Sequence, residues 1–286
     1  MASFEHCSSV AREIICCRRT SPATDAKLMA GDVATAYPNA CTHSECVYMF
    51  AGHITEDNAT VTDLTAAFGW TGSPGTYGML GGAVVFQHRS SANASQPSEF
   101  YNYNWVDDHV NVASDEGSKC AEFDRSLRWA MTIIMGPAAM NEDNLTPWRT
   151  RLKVLGLVFD TTAGTVTMPL SKIAKTKGLV ARAFHASGIS RSKYRALLGS
   201  LGHVATCVRP ARVFIQRLRE GEHRLQSVRL LWWWYILNSP TLNGVPLEYF
   251  VSIPPHDITV ITDASDERIC AIDPSLQRWI TNKFPL

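Results

Sequence analysis

The strongest constraint in this sequence is a pair of adjacent aspartates set between two alternating arms. "EFYNYNWV" leads up to Asp107 and Asp108, and "HVNVAS" leads away from them. In both arms apolar or aromatic residues recur at every second position, the period of a strand with one buried face. The spacing predicts a β-hairpin with the two carboxylates at its turn. Like charges side by side repel, and desolvation makes both ionised forms expensive. A hard divalent cation removes that penalty, because Mg²⁺ takes carboxylate oxygen and keeps waters for substrate phosphates. A lone Asp-Asp pair is more often a solvated turn, so the surrounding sequence must decide between the two readings.

Charge is distributed unevenly along the chain. The whole has a formal net charge of +1, but residues 171–230 hold 13 Lys and Arg against 2 Asp and Glu, a local net of +11. The remainder therefore carries −10. One basic stretch in an otherwise acidic chain points to a polyanion partner, with solvated helix faces as the plain alternative. Apolar residues at 45% suffice for a core, and 19% charged residues argue against disorder. The 8 cysteines show no framework spacing. Cys41, His43 and Cys46 lie close together without a second ligand pair, so reduced and mostly buried thiols are expected. No apolar run follows the N-terminal basic residues as in a signal peptide, and "LLWWWYIL" is far shorter than the roughly 20 residues of a membrane span. Asn58 and Asn93 open glycosylation-type triplets, but an intracellular chain, cytoplasmic or nuclear, without a membrane partner is the expectation.

Along the chain, a short helix is predicted around Val10–Cys17 and a strand in "KLMAGDVATAY" ending at Asp32. "CVYMFAGHI" and "ATVTDLTAAFG" read as two further strands. "SPGTYGMLGGAVVFQHR" reads as a helix with Ser73 as N-cap and Pro74 in the first turn, where its missing N–H costs nothing. "CAEFDRSLRWAMTIIMG" is an amphipathic helix stopped at Gly136-Pro137. "LKVLGLVFD" and "TVTMPL" read as the two arms of a hairpin around Thr161–Gly164. Basic helices follow over about 171–186 and 190–220, then a tryptophan-bearing helix, and "HDITVITDAS" opens a new strand.

The order of these pieces carries more than any one of them. "DVATAY" sets Tyr37 five residues after Asp32, "GWTGSP" opens a helix, "WVDD" sits in a hairpin, and "LGLVF" closes the series. This succession resembles the palm of retroelement reverse transcriptases, nearest to those of LTR and DIRS-like retrotransposons. From about Lys27 onward nearly the whole chain is covered. The resemblance implies an α+β fold: a palm of antiparallel sheet backed by helices, a helical thumb and connection, and the first strand of a ribonuclease H-like fold. The segments are then an N-terminal remnant at 1–26, palm at 27–170, thumb and connection at 171–250, and a ribonuclease H-like start at 251–286.

By the same resemblance Asp32, Asp107 and Asp108 would be the catalytic, metal-binding carboxylates. Tyr37 would be the gate under the incoming sugar. Gly69, Trp70, Gly72, Ser73 and Pro74 match the turn that positions template and nucleotide, and Leu155 and Gly156 match the primer grip. Phe68 stands where many retroviral enzymes have glutamine, and Trp105 where the family usually has Tyr or Phe. The expected cofactor is Mg²⁺, as two ions, or Mn²⁺. The expected partners are an RNA or DNA template–primer duplex and a dNTP. Lys172, Lys175, Lys177, Arg209 and Arg212 are the nucleic-acid-binding candidates, since Lys and Arg neutralise phosphates. Lys153, Arg149 and Arg151 all stand near the place of a proton donor, with nothing to choose among them. Asp263 falls on the first metal-binding aspartate of the ribonuclease H, yet only 23 residues follow it, too few to bring the other carboxylates. The implied fingers are almost absent before Asp32. Truncation at both ends is therefore expected, without ribonuclease activity, and Asp263 is read as a structural strand-end residue. Stacking of Trp232, Trp233 and Trp234 on bases is weighed below packing, and His109 is read as a hairpin spacer. No nucleophile elbow accompanies His185 and Ser187. RNA-directed DNA polymerase is the leading function. The alternative is an inactive retroelement fragment that at most binds nucleic acid through its basic helices.

Overall fold

The structure, a computed structural model, describes residues 7–93, 97–140, 142–186, 188–208, 211, 214–215, 218, 227–251, 261–264, 268–274 and 276–283. It divides into two units, Met1–Val251 and Ser252–Leu286.

The first unit is built on a three-stranded antiparallel sheet in the order β1-β5-β4, from Ala26–Asp32, Asp108–Ser114 and Asn102–Trp105. Its register pairs Ala26 with Ser114 and Asp32 with Asp108, and on the other side Asn102 with Asn111 and Trp105 with Asp108. Residues directly opposite in such a sheet point to the same face, so the alternation sorts the side chains into two sets. Leu28, Tyr103, Val110 and Val112 go to a face covered by α1 (Ser8–Thr20). Met29, Asn102, His109, Asn111 and Ala113 go to the other. That face meets α2 (Ser73–Arg89) and α3 (Lys119–Met135). There Met29 joins Tyr77, Val84, Leu127 and Met131 in one apolar cluster.

Beyond this sheet, β6 (Arg151–Val154), β7 (Leu157–Asp160), β8 (Thr165–Thr167) and β9 (Val245–Pro246) form a second antiparallel sheet in that order. Helices α4 (Leu170–His185), α5 (Arg191–Val204) and α6 (Ser227–Asn238) follow. One core joins these parts, with Ile14, Leu28, Phe159, Leu197, Leu201 and Trp233 among its fully buried members. It draws on residues from both sides of positions 26 and 170. The helix before β1 is thus part of the packing, because Val10, Ala11, Ile14 and Ile15 recur at helical spacing on one side of α1.

Several elements differ from the sequence expectation. Of "CVYMFAGHI", Ser44–Phe50 forms a 3₁₀ turn capped by His43, whose side chain accepts from the Glu45 amide, and only Ala51–Ile54 is a strand (β2). Its partner β3 is Ala59–Thr62 alone, because the Asp63 carboxylate accepts from the Thr65 amide and hydroxyl and turns the chain. Almost every residue of this hairpin is exposed, so no buried face extends the strands. "LKVLGLVFD" is two strands, since Leu155 (φ +52°) and Gly156 (φ +74°) make a two-residue turn inside it. Gly72, not Ser73, is the N-cap of α2. Helix α5 stops at Val204, where Ala205 to Cys207 form tight turns and the Cys207 carbonyl accepts from Gly244. The cysteines join no disulfide among the described residues, and only Cys7, Cys17 and Cys207 are buried. Cys16 is exposed because neighbours on a helix point about 100° apart.

The second unit is a meander of β10 (Ile261–Ala264), β11 (Arg268–Asp273) and β12 (Arg278–Lys283). Asp263 lies in β10, opposite Cys270. Of the predicted strand, residues 256–260 and 265 lie outside the described residues.

Candidate active site

The two strands that carry the aspartates end together. Asp32 is the last residue of β1 and Asp108 the first of β5, and they are register partners on one face of the sheet. Opposite positions in a sheet set Cβ atoms about 4.5–5.5 Å apart. Asp107 occupies the turn, and its carbonyl accepts from the Val33 amide at 3.0 Å, which ties the turn to the chain leaving β1. Val106, the other turn residue, has φ +55°. A β-branched residue there is strained by about 1–3 kcal/mol, and such strain concentrates at functional sites.

The electrostatics match the crowding. Partial burial, then the charges of Asp107 and Asp32, push the Asp108 carboxyl above the usual carboxylate range. Burial, then Asp107 and Asp32, raise the Tyr77 phenol, whose hydroxyl is buried without a hydrogen-bond partner among the described residues. Among the described residues Asp32 is held on one side only: Oδ2 accepts from Asn144 Nδ2 at 2.9 Å, whereas Oδ1 is buried and without a partner.

Asn144 reaches Asp32 because an irregular segment runs along the open edge of β1. Met140 bridges Val33, Thr146 bonds both ways with Ala30, and Arg149 pairs with Leu28. Arg128 on α3 fixes the start of this segment, with Asp124 at 3.0 Å and Glu142 at 2.6 Å. Sequence reasoning missed Asn144. The segment has no strand period, and its pairing is made by the main chain.

Tyr37 stands at the same end of the sheet, its ring 5.0 Å from Phe68 and 6.2 Å from Tyr77 between centroids. Burial first and Asp107 second raise its phenol. The Gly69–Pro74 turn leads into α2 beside it. Gly69 needs its left-handed backbone at φ +88°, and Gly72 leaves room for the Trp70 ring, which a Cβ would meet at 2.5 Å. Ser73 is fully buried and donates to the Ala67 carbonyl at 2.6 Å, so its hydroxyl shapes the turn. Pro74 lies in the first helical turn.

Beside the hairpin, on the face that carries Trp105 and Asp108, a cavity of about 430 Å³ opens, lined by these two and by Leu155, Gly156, Lys172 and His203 among others. Trp105 is 42% exposed on its wall. Lys172 and Lys175 line an adjoining groove of about 350 Å³ between α4 and α5, which Lys177 does not. Arg209 and Arg212 lie outside the described residues. Trp233 is fully buried in the core, while Trp234 is 40% exposed. His109 is fully buried on the helix side, bonded to Asn102.

Among the described residues, no three His, Cys, Asp or Glu side chains converge closely enough to hold a metal ion as they stand. The donor set nonetheless fits a hard divalent cation. Asp32 offers a buried, unpartnered oxygen, and Asp107 and Asp108 add carboxylates whose mutual repulsion a cation would relieve.

No protein-family model matches the sequence, and no curated protein does. Among solved structures, a foamy viral protease-reverse transcriptase in complex with an RNA/DNA hybrid aligns with a TM-score of 0.54 at 10% identity, over 91% of this chain and 33% of that one. The fold is reverse-transcriptase-like. At that identity the likeness is one of fold, and the chain spans about a third of the viral protein's length. The mixed helices and antiparallel sheets are consistent with such a fold. Among the described residues no helix is long and apolar enough to cross a membrane.

Proposed function

We propose that this chain is the palm and thumb portion of an RNA-directed DNA polymerase from an LTR or DIRS-like retroelement, with the start of a ribonuclease H-like domain at 251–286. The observation that carries the reading is the pairing of Asp32 with Asp108 at one sheet end, with Asp107 in the adjoining turn. Three carboxylates from two separate stretches of chain are what two-metal nucleotidyl transfer requires. Asp32, Asp107 and Asp108 would hold Mg²⁺ or Mn²⁺. When bound, such ions lower the pKa of a primer 3′-hydroxyl and stabilise charge on the leaving pyrophosphate.

The chain's own residues do the rest by positioning. Asn144 fixes one oxygen of Asp32, leaving the other for a ligand. Tyr37, braced by Phe68 and Tyr77, presents a ring beside the carboxylates, suited to exclude a ribose 2′-hydroxyl from an incoming dNTP. Gly69–Pro74 forms the turn beside it. Basic α4 and α5 border the groove that would receive an RNA or DNA template–primer duplex, in keeping with the hybrid bound by the viral structure.

Primer extension on an RNA template tests this reading. Wild-type protein with Mg²⁺ should extend the primer, and Asp107→Asn and Asp32→Asn should each fall to background. Extension that survives Asp107→Asn refutes the carboxylate assignment. A second reading, binding without catalysis, is favoured by the failure of the three acids to converge as they stand. It wins if the protein holds template–primer yet never incorporates a dNTP.

A further inference from the structure

Lys172 and His203 come from different helices, 31 positions apart, and meet over the Leu155–Gly156 turn. Lys172 Nζ lies 2.9 Å from His203 Nε2. The ammonium can only donate, so Nε2 accepts and the ring proton sits on Nδ1. The Gly156 backbone lies beside the imidazole and favours its protonation, against the larger effects of burial and Lys172, which lower its pKa. The result is an imidazole seated against a turn and joined to an ammonium. Gly156 is needed for it: a Cβ at this position would collide with Lys172 Nζ and stand 3.4 Å from His203 Nε2.

Among the described residues no carboxylate forms an ion pair with the ammonium. Partial burial, then the charges of Lys153 and Lys175, lower its pKa. No ion pair holds Lys153, Lys172 or Lys175 among the described residues. Lys172 and His203 stand where the cavity beside Asp108 joins the groove between α4 and α5, since both residues line both spaces. The floor of that groove holds Thr176 and Ser200, hydroxyl to hydroxyl at 2.6 Å.

We propose that Lys172 and His203 form a single phosphodiester-binding unit, in which Lys172 contacts one backbone phosphate of the strand entering the cavity beside Asp108 and His203 positions the ammonium. This rests on the polymerase reading only for the identity of that strand, the primer. A fixed lysine selects one linkage, whereas scattered surface lysines would favour none. His203 is a positioning residue: it lies against the turn and holds the lysine at the cavity wall through Nε2.

The test uses a fluorescein-labelled DNA primer annealed to an RNA template, with anisotropy read against salt. Single methylphosphonates replace the phosphates of the last several primer linkages in turn. Wild type should lose affinity sharply at one linkage. Lys172→Gln should bind the ordinary duplex more weakly and lose its sensitivity to that linkage. Its salt slope should fall by about 0.9, roughly a threefold smaller change in affinity between about 50 and 200 mM salt. His203→Ala should blur the linkage preference, and His203→Gln, which can still accept from Lys172, should restore it. Lys175→Gln serves as the control for mere charge: it should weaken binding yet keep the linkage preference. Equal linkage profiles in wild type, Lys172→Gln and His203→Ala would overturn the proposal. Extension measured in parallel separates the two ideas. A wild type that shows the linkage preference but never extends refutes polymerase activity and leaves the phosphate site standing. One that extends with a flat linkage profile does the reverse, and one that binds no duplex at any salt overturns both.

Discussion

Acid should destabilise this fold well before its carboxylates protonate, because two histidines are sealed between the sheet and helices α2 and α3. His88 Nδ1 lies 2.9 Å from the Ser126 hydroxyl and His109 Nδ1 lies 3.0 Å from Asn102 Oδ1, and both Nε2 atoms are buried without a partner among the described residues. Burial first, then the nearness of His109 and Arg89, pushes His88 down to about 3, and burial pushes His109 down to about 4. An unfolded histidine titrates near 6.5. Between about pH 6.5 and 4 the unfolded chain therefore binds two protons that the folded chain refuses, and stability falls as pH falls. The slope is about 1.36 kcal/mol per pH unit for each proton, so lowering the pH from about 6.5 to 5 removes on the order of 4 kcal/mol. A domain of ordinary stability, about 5–15 kcal/mol, would lose a large share of it. Asp108 works in the opposite sense: with its carboxyl raised, it adds stability at low pH that is lost as pH rises. Urea unfolding followed by tryptophan fluorescence at pH 7 and pH 5 measures the net effect. His88→Gln, which keeps a partner for Ser126, should remove about half of the histidine-linked loss, and its difference from wild type cancels the Asp108 contribution. Equal pH dependence in wild type and His88→Gln would refute the reasoning.

Two further changes probe packing and strain. Val106→Gly should raise the unfolding midpoint, worth roughly 1 kcal/mol, by relieving the left-handed backbone of the Asp107 turn; a lower midpoint in thermal melts would show that the turn is not strained. Trp233→Ala should cost about 3–5 kcal/mol in denaturant unfolding because its ring is fully buried, and Trp234→Ala, 40% exposed, should cost less than half as much; equal losses would count against the assigned helix face.

The two-residue period made β1, β4 and β5 legible, and with them the meeting of Asp32 and Asp108, because one face of that sheet is apolar enough to write itself into the sequence. Helices α2 and α3 were legible from Pro74 near the start of one and Gly136 at the end of the other. The turn at Leu155–Gly156 was hidden, since leucine is not a turn former and the run around it is apolar throughout. Asn144 and His203 were hidden for another reason. Each acts through a partner more than 30 residues away, on elements whose pairing or packing no local pattern encodes. The short exposed hairpin β2–β3 was over-read, because apolar composition there is not matched by burial.

The polar layer behind the central sheet carries one more consequence. Asn102 donates to Asn111 across the strands at 2.6 Å and accepts from His109 at 3.0 Å, all within a buried face. Apolar side chains tolerate a neighbour's exchange, but these three fit one alignment of β4 on β5 and no other. Were β5 itself to shift by a single residue, His109 and Asn111 would pass to the opposite face and Asp108 would turn away from Asp32. Two buried amides and one imidazole, of little net worth to stability, thus act as a latch on strand alignment, set on the helix-covered side of the sheet, opposite the face that carries Asp32 and Asp108.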